Sequence, residues 1–167
     1  MFRQLQAILA VVIIAVGCSH NSPDTTTIAG TVTKVHDGDS IHITPPGKKR
    51  IIVRLAGIDA PELEQPFGLE SRNMLRSLIL RRKAEATCHK RDRYQRRVCV
   101  VLNDGSDVNL QMISSGLAWH YKQYEKEQSR KRRKAYSRAE RNARSSQLGL
   151  WSEDNVEPWV FRNAARR

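Results

Sequence analysis

The sequence predicts an α+β domain, a small closed β-barrel of five short strands with about three helices. Two patterns carry that expectation. Short runs rich in β-branched residues recur between turn signals such as Asp37-Gly38, Pro45-Pro46-Gly47 and Asp104-Gly105, as consecutive antiparallel strands require. Apolar residues at helical spacing follow each group of strands, over 66–80 and 108–117, and a long basic segment comes after them.

Taken in order, residues 28–35 have a mixed β pattern with Thr31, Val32, Thr33 and Val35. His36-Asp37-Gly38-Asp39 makes the turn, and residues 40–44 alternate around Ile41 and Ile43. Pro45-Pro46-Gly47 breaks that strand, and residues 49–55 return as a third, giving an antiparallel meander. Residues 66–80 read as a helix, because Phe67, Met74, Leu75, Leu78 and Ile79 form part of an i, i+3, i+4 stripe. Residues 83–89 and 96–102 are the next two strands. In the second, Val98, Val100 and Leu102 occupy one face and Cys99 and Val101 the other. Apolar residues on both faces are expected where a barrel core meets a covering helix. Residues 108–117 form a short helix whose Leu110, Ile113 and Leu117 share a side, with Gly116 near the exit. Residues 124–145 form a long, basic helix, and Ala135, Ala139 and Ala143 make a small-residue stripe suited to close packing on a barrel.

Composition suits one domain and narrows the partners. The chain has 167 residues, 40% of them hydrophobic, enough for one ordinary core and too few for two large domains. A collagen-like chain, a disulfide-dense mini-protein and a multi-span membrane protein are excluded. Lysine and arginine number 29 against 17 aspartates and glutamates, a formal net charge of +12. That balance favours a polyanion, nucleic acid before an anionic membrane. The expected organisation is a targeting segment over 1–18, a polar linker over 19–27, one domain over 28–161 and a basic tail over 162–167.

The first residues, MFRQLQAILAVVIIAVGC, have the plan of an export signal. Arg3 supplies a positive start, residues 7–16 an apolar stretch of about ten residues, and Gly17-Cys18 the end, after which the chain turns polar. The apolar run is shorter than the roughly 20 residues that a membrane-spanning helix needs. Ala15-Val16-Gly17-Cys18 resembles the bacterial lipobox, in which the cysteine is lipidated and heads the mature chain; Ala15 stands where leucine is usual. The expectation is an exported envelope lipoprotein, on the periplasmic face of the outer membrane in a Gram-negative host. A secreted, ordinarily cleaved chain and an uncleaved apolar segment are the alternatives. Export permits a disulfide. Cys88 and Cys99 flank Asp92-Arg93-Tyr94-Gln95 symmetrically, so a hairpin closed by that turn brings them opposite or nearly so; the alternative is two separate buried thiols.

Three short stretches carry chemistry-bearing side chains: residues 36–40 at a turn, 54–62 where a strand ends, and 92–96 at the hairpin. Asp39 and Asp59 are suited to a hard cation such as Ca²⁺, with a backbone carbonyl and water completing the shell. Glu62 is suited to deprotonating water, and Arg54 and Arg96 to gripping a phosphate. Taken singly, an aspartate beside a glycine is as readily a turn former, and an arginine a solvated charge. The residues alone leave both readings open.

The pieces and their order resemble the staphylococcal nuclease-like (thermonuclease) family. The resemblance rests on Val32-Thr33-Lys34-Val35-His36-Asp37-Gly38-Asp39-Ser40 and on Arg54-Leu55-Ala56-Gly57-Ile58-Asp59-Ala60-Pro61-Glu62. It continues through Gln65-Pro66-Phe67-Gly68, Asp92-Arg93-Tyr94-Gln95-Arg96, Asn109-Leu110, Gly116-Leu117-Ala118-Trp119, Tyr121, Tyr124 and Leu148-Gly149-Leu150-Trp151. It implies a five-stranded OB-fold barrel with three helices, and Ca²⁺-dependent cleavage of DNA and RNA phosphodiesters that leaves 3′-phosphate and 5′-hydroxyl ends. It implies metal ligation by Asp39, Asp59 and the carbonyl of Ala60, a general-base role for Glu62 and phosphate binding by Arg54 and Arg96. Arg93 and Tyr94 match the basic and aromatic pair beside the terminal phosphate. Tyr121 and Tyr124 fall where the family has tyrosines lining the nucleotide site. The expected partners are accessible or single-stranded DNA and RNA, and the expected state is a monomer. The rival is an OB-type nucleic-acid-binding module without chemistry. Glu62 argues against it, since a pure binder has no use for a carboxylate that repels phosphate.

Three positions depart from the family pattern, and one of them, Arg97, adds a further charge after Arg96. Gln95 stands where glycine is usual, and a turn there that needs φ > 0 suits glutamine poorly. Ser40 replaces the common threonine. Trp119, Trp151 and Trp159 are expected as core or helix-packing groups, and His36 and His120 as solvent-facing or supporting groups rather than metal ligands. The basic run over 130–134 fits a solvated helix face, attraction to a polyanion, or contact with an anionic membrane.

Overall fold

Alternation along the strands sorts the side chains between core and solvent. The computed structural model describes residues 25–165; the expected targeting segment with Cys18, the expected linker up to residue 24 and residues 166–167 lie outside the described residues. Along the chain, β1 (Thr26–Val35), β2 (Ser40–Thr44), β3 (Ile51–Leu55) and β4 (Ile58–Asp59) precede α1 (Gly68–Ile79). Next come β5 (Lys83–Arg91), β6 (Arg97–Asn103), β7 (Ser106–Asp107) and α2 (Val108–Ser114). β8 (Trp119–His120), α3 (Arg130–Ser145) and α4 (Pro158–Ala164) complete the order. β1 begins at Thr26, so the last two residues of the expected polar linker belong to a strand.

β1, β2 and β3 form the antiparallel meander, β1 pairs with β5, and β5 pairs with β6. Parallel pairing of β3 with β6, from Val53 opposite Arg97 to Leu55 opposite Cys99, closes the five strands into an OB-fold barrel. Ile28, Val32 and Val35 of β1 point into the core. A register shift between Val32 and Lys34 explains the three-residue step from Val32 to Val35. Ile41, Ile43, Val53, Leu55, Ala86, Cys99 and Val101 join them. Val98 and Val100 are only half-buried and line an open cleft, so the second apolar face of β6 is a cleft wall and not the seat of a helix.

The helices cap this barrel. α1 buries Ser71, Leu75 and Ile79 at i, i+4, i+8, with Met74 and Leu78 packed beside them. Phe67, expected in that stripe, instead has φ 63° and precedes the helix. The buried side of α2 runs through Val108, Met112 and Ile113, and Leu110 and Leu117 are half-buried against the core. The expected helix over 124–145 is split. Lys122–Glu127 form a 3-10 turn, Gln128 is extended, and α3 restarts where the Ser129 hydroxyl accepts the Arg132 N–H at 3.3 Å. Ala135 and Ala139 of the small-residue stripe pack against the core and Ala143 is buried. Trp119 is buried, edge-on to Trp151 (5.7 Å) and to Trp159 (6.3 Å), as packing groups should be. α4 was not anticipated. It starts with Pro158 in its first turn and carries Arg162, so the expected tail over 162–167 begins inside a helix. Among the described residues no helix is long and apolar enough to cross a membrane.

Of the two expectations for His120, solvent-facing or supporting, the buried position excludes the first. It is buried, edge-on to Tyr136, with Nε2 3.2 Å from Gln128 Oε1 and its backbone N–H donating to Glu140 at 3.0 Å. Nδ1 is buried without a hydrogen-bond partner. Burial therefore pulls its pKa below the ordinary value of 6.5. The unfolded chain takes up the proton first, so stability contributed by neutral His120 is full above about 6.5 and is lost as pH falls below it. Urea midpoints between pH 7.5 and 5, chosen as about one unit either side of the ordinary histidine value, should fall on acidification, and less so in His120→Gln. Equal slopes in the two proteins would remove His120 as the cause.

Cys88 and Cys99 face each other in the β5–β6 register and are joined in a disulfide, with Cα atoms 3.9 Å apart. The bridge closes a loop of sequence separation 11, for which chain entropy gives about 3 kcal/mol. A Cys88→Ala/Cys99→Ala double variant should lose stability of that order by urea denaturation; an unchanged midpoint would show that the bridge contributes nothing.

Candidate active site

The turn between β1 and β2 is held against α1 by its glycine. A Cβ on Gly38 would lie 1.9 Å from Ser71 Oγ and 2.6 Å from the Ala60 Cβ, so no larger residue fits. That close approach sets Asp39 at the start of β2 beside the end of β4. Asp39 Oδ2 accepts the Ala60 N–H at 2.8 Å, and Asp37 Oδ1 accepts the Asp39 N–H at 3.0 Å. Arg54, near the end of β3, forks between two carboxylates: Nη1 lies 2.7 Å from Asp39 Oδ2 and Nη2 lies 2.6 Å from Asp59 Oδ1. Glu62 follows on a loop pinned from two sides. Its N–H donates to Gln65 Oε1 at 2.9 Å, and Gly68 lets α1 approach so closely that a Cβ there would sit 2.1 Å from the Glu62 carbonyl oxygen.

The β5–β6 hairpin brings the second arginine. Asp92 accepts the N–H groups of Tyr94 and Arg96 and, at 2.7 Å, Arg96 Nε. These bonds outweigh the opposing effect of burial and hold the Asp92 pKa low. Arg96 Nη1 then donates to Ser40 Oγ at 3.1 Å, which ties the hairpin to the β2 turn. Tyr94 is exposed, with the guanidinium carbons of Arg93 and Arg96 4.9 Å and 5.4 Å from its ring centroid. Tyr121 stacks on Trp159 at 5.3 Å and meets Tyr124 edge-on at 5.4 Å, and Lys90 lies over Tyr124 at 4.2 Å.

All the expected site side chains line one cleft of about 1110 Å³: Asp39, Arg54, Asp59, Glu62, Arg93, Tyr94, Arg96, Tyr121 and Tyr124, with the Ala60 backbone beside them. Two further residues enter that the sequence reading passed over as site groups. Asp37 is pushed up to about 7 by burial and by the neighbouring Asp39 charge. Arg162 reaches in from α4, with Nη2 2.7 Å from Asp59 Oδ2 and Nη1 2.7 Å from Glu62 Oε1. Burial works against its charge, but Asp59 and Glu62 outweigh it and raise its pKa. Asp59 itself is fully buried; burial pushes its carboxyl up, and Arg54 and Arg162 oppose the shift. The signal for Arg162 was local: Glu157-Pro158 marks a helix start that would have taken residue 162 out of a tail. His36 is exposed at the cleft edge. Among the described residues no three His, Cys, Asp or Glu side chains converge as a ready-made metal cage.

Gln95 has φ 64°, the left-handed conformation in which a side chain costs about 1 kcal/mol or more. Gln95→Gly should therefore raise stability by up to about 1 kcal/mol, read as a higher urea midpoint. A lower midpoint would show that the turn carries no such strain.

The sequence profile described as "Staphylococcal nuclease homologue" matches residues 52–153. A Haemophilus influenzae protein named "Uncharacterized endonuclease" is 39% identical over 132 residues, 78% of this chain and 71% of that protein. An Escherichia coli O157:H7 protein of the same name is 37% identical over 138 residues, 81% of this chain and 86% of the relative. The "Micrococcal nuclease" of Shigella flexneri is 34% identical over 172 residues, 97% of this chain and 94% of the relative. With the OB-fold barrel and the profile match over 52–153, these likenesses show that the chain belongs to the staphylococcal nuclease homologue family.

Proposed function

We propose that this nuclease is a Ca²⁺-dependent phosphodiesterase acting on DNA and RNA strands that lie along the cleft. The observation that carries the proposal is the grouping of Arg54, Arg96 and Glu62 around the paired carboxylates of Asp39 and Asp59. The donors fit a hard divalent cation: they are oxygens only, from Asp39, Asp59 and the Ala60 carbonyl, with water needed to complete the shell. Asp37 stands beside them as a further carboxylate, pushed up to about 7 by burial first and by the neighbouring Asp39 charge second.

Bound there, Ca²⁺ supplies a Lewis acid for a non-bridging phosphate oxygen. The chain's own groups do the rest. Glu62 accepts a proton from water as the water oxygen forms its bond to phosphorus. The bond from phosphorus to the 5′ oxygen breaks, the leaving oxygen takes a proton from solvent, and Glu62 returns its proton to solvent. Arg54 and Arg96 hold the equatorial oxygens while their charge grows. Arg93 stands beside the strand, and Tyr94, Tyr121 and Tyr124 offer faces for bases and sugars. The pattern of residues 1–18 supports extending the proposal to export and lipid anchoring at Cys18, so that the enzyme meets nucleic acid outside the cytoplasm.

Cleavage of single-stranded DNA should require Ca²⁺ and should be supported poorly by Mg²⁺, which demands a tighter octahedron and keeps its waters. Equal rates in chelator would end the metal assignment. Glu62→Gln keeps the length of the side chain but accepts no proton at neutral pH. Its turnover should fall by at least about 10²-fold, with strand affinity within a few-fold of wild type. Arg96→Ala should lower both rate and affinity. Single-turnover rates and fluorescence anisotropy read the two quantities. An undiminished rate in Glu62→Gln removes Glu62 as the base, and a folded, Ca²⁺-loaded wild type that binds strands without cleaving them would favour a binding module.

A further inference from the structure

Arg162 holds two of the cleft's carboxylates at once, and the hydrolytic chemistry does not use it. Its Nη2 lies 2.7 Å from Asp59 Oδ2, its Nη1 3.3 Å from Asp59 Oδ1, and the same Nη1 2.7 Å from Glu62 Oε1. Asp59 Oδ1 also accepts Arg54 Nη2 at 2.6 Å. A carboxylate oxygen offers about two lone-pair directions. Oδ1 of Asp59 therefore has both engaged, and Oδ2 has one.

The helix that delivers Arg162 is docked. Pro158 is buried, Trp159 stacks on Tyr121 and meets Trp119 edge-on, and the Val156 carbonyl accepts Gln65 Nε2 at 2.8 Å. Arg162 lies three residues after Trp159, so both share a helix face and both line the cleft. The whole helix falls beyond the 52–153 stretch that the family profile matches. Its guanidinium is aimed at the carboxylates that the proposed chemistry needs.

We propose that Arg162 is a positioning residue that acts as an internal cation: it pairs with Asp59 and Glu62 and competes with the divalent cation for Asp59. This rests on the Ca²⁺ reading of the site above. One lone pair of Oδ2 stays open by this count, but the direction that Arg162 holds there is closed to a divalent cation, which is also repelled by a guanidinium on the same carboxylate. Binding of the cation displaces Arg162 from Asp59, and α4 thereby sets the Ca²⁺ concentration at which the site becomes competent. Competition of this kind is reciprocal: a bound cation weakens the Arg162 contact by the same factor by which that contact weakens cation binding.

Calorimetric titration of Ca²⁺ into the folded chain without nucleic acid tests this, together with thermal midpoints in chelator. Arg162→Gln should bind Ca²⁺ roughly 10-fold tighter than wild type, while its midpoint in chelator falls because Asp59 and Glu62 have lost a partner. Arg162→Lys keeps the charge and loses the fork, and should lie between the two. Opposite movement of affinity and stability is the signature, since a merely structural arginine would lower both or leave affinity alone. Unchanged or weaker Ca²⁺ binding in Arg162→Gln would overturn the competition. If that variant does not fold in chelator, Arg162→Lys carries the test, and no tightening there overturns the proposal as well. Failure of wild type and both variants alike to bind Ca²⁺ would instead overturn the Ca²⁺ reading on which it rests.

Discussion

The fork of Arg54 between Asp39 and Asp59 is the interaction on which the rest of the site depends. Both carboxylates are buried, and without a cation between them they would repel each other in a medium that screens poorly. A buried ion pair of this kind contributes little net stability, because desolvation offsets most of the attraction. Its consequence is geometric. The two fixed Nη positions of a planar guanidinium dictate the separation and orientation of two carboxylates from different strands. A lysine carries the same charge without that fork.

From Arg54 the network runs in both directions. Through Asp39 it reaches Ser40, whose hydroxyl is 3.1 Å from Asp39 Oδ1 and 3.1 Å from Arg96, and so reaches Asp92 at the hairpin. Through Asp59 it reaches Arg162 and then Glu62. One hydrogen-bonded chain therefore joins the β2 turn, the end of β3, the hairpin and α4. Barrel closure makes this path short: the parallel β3–β6 ladder sets Arg54 opposite Val98, two residues after Arg96. Substitutions along such a chain couple, and their effects do not add.

Much of this was legible in the sequence, and the limits have physical causes. The meander was readable because β-branched alternation is interrupted by Asp37-Gly38 and Pro45-Pro46-Gly47. Equal spacing of Cys88 and Cys99 about Asp92–Gln95 pointed to their opposition, but the ladder beside the turn pairs Arg91 with Arg97, and a register shift between Cys88 and Lys90 brings the cysteines opposite. The burial of His120 was not readable, because a lone histidine carries no periodic signal and its partners Gln128 and Glu140 come from later segments. Val98 and Val100 misled for the opposite reason: an apolar cleft wall has the same composition as a covered core face. Arg162 lies 103 residues from Asp59, and no local pattern announces a contact across that distance. Asp37 looked like a turn former, which it also is, since it accepts the Asp39 N–H.

The most direct measurement of the central claim is diffraction from crystals of the protein grown with Ca²⁺ and a non-hydrolysable dinucleotide. The account expects one Ca²⁺ bound by oxygens of Asp39 and Asp59 and by the Ala60 carbonyl, at the roughly 2.3–2.6 Å of such bonds. It also expects a phosphate group within hydrogen-bond reach of both Arg54 and Arg96. An ion held elsewhere, or a nucleotide bound away from these arginines at saturating Ca²⁺, would contradict it and leave the Arg54 fork a structural ion pair alone.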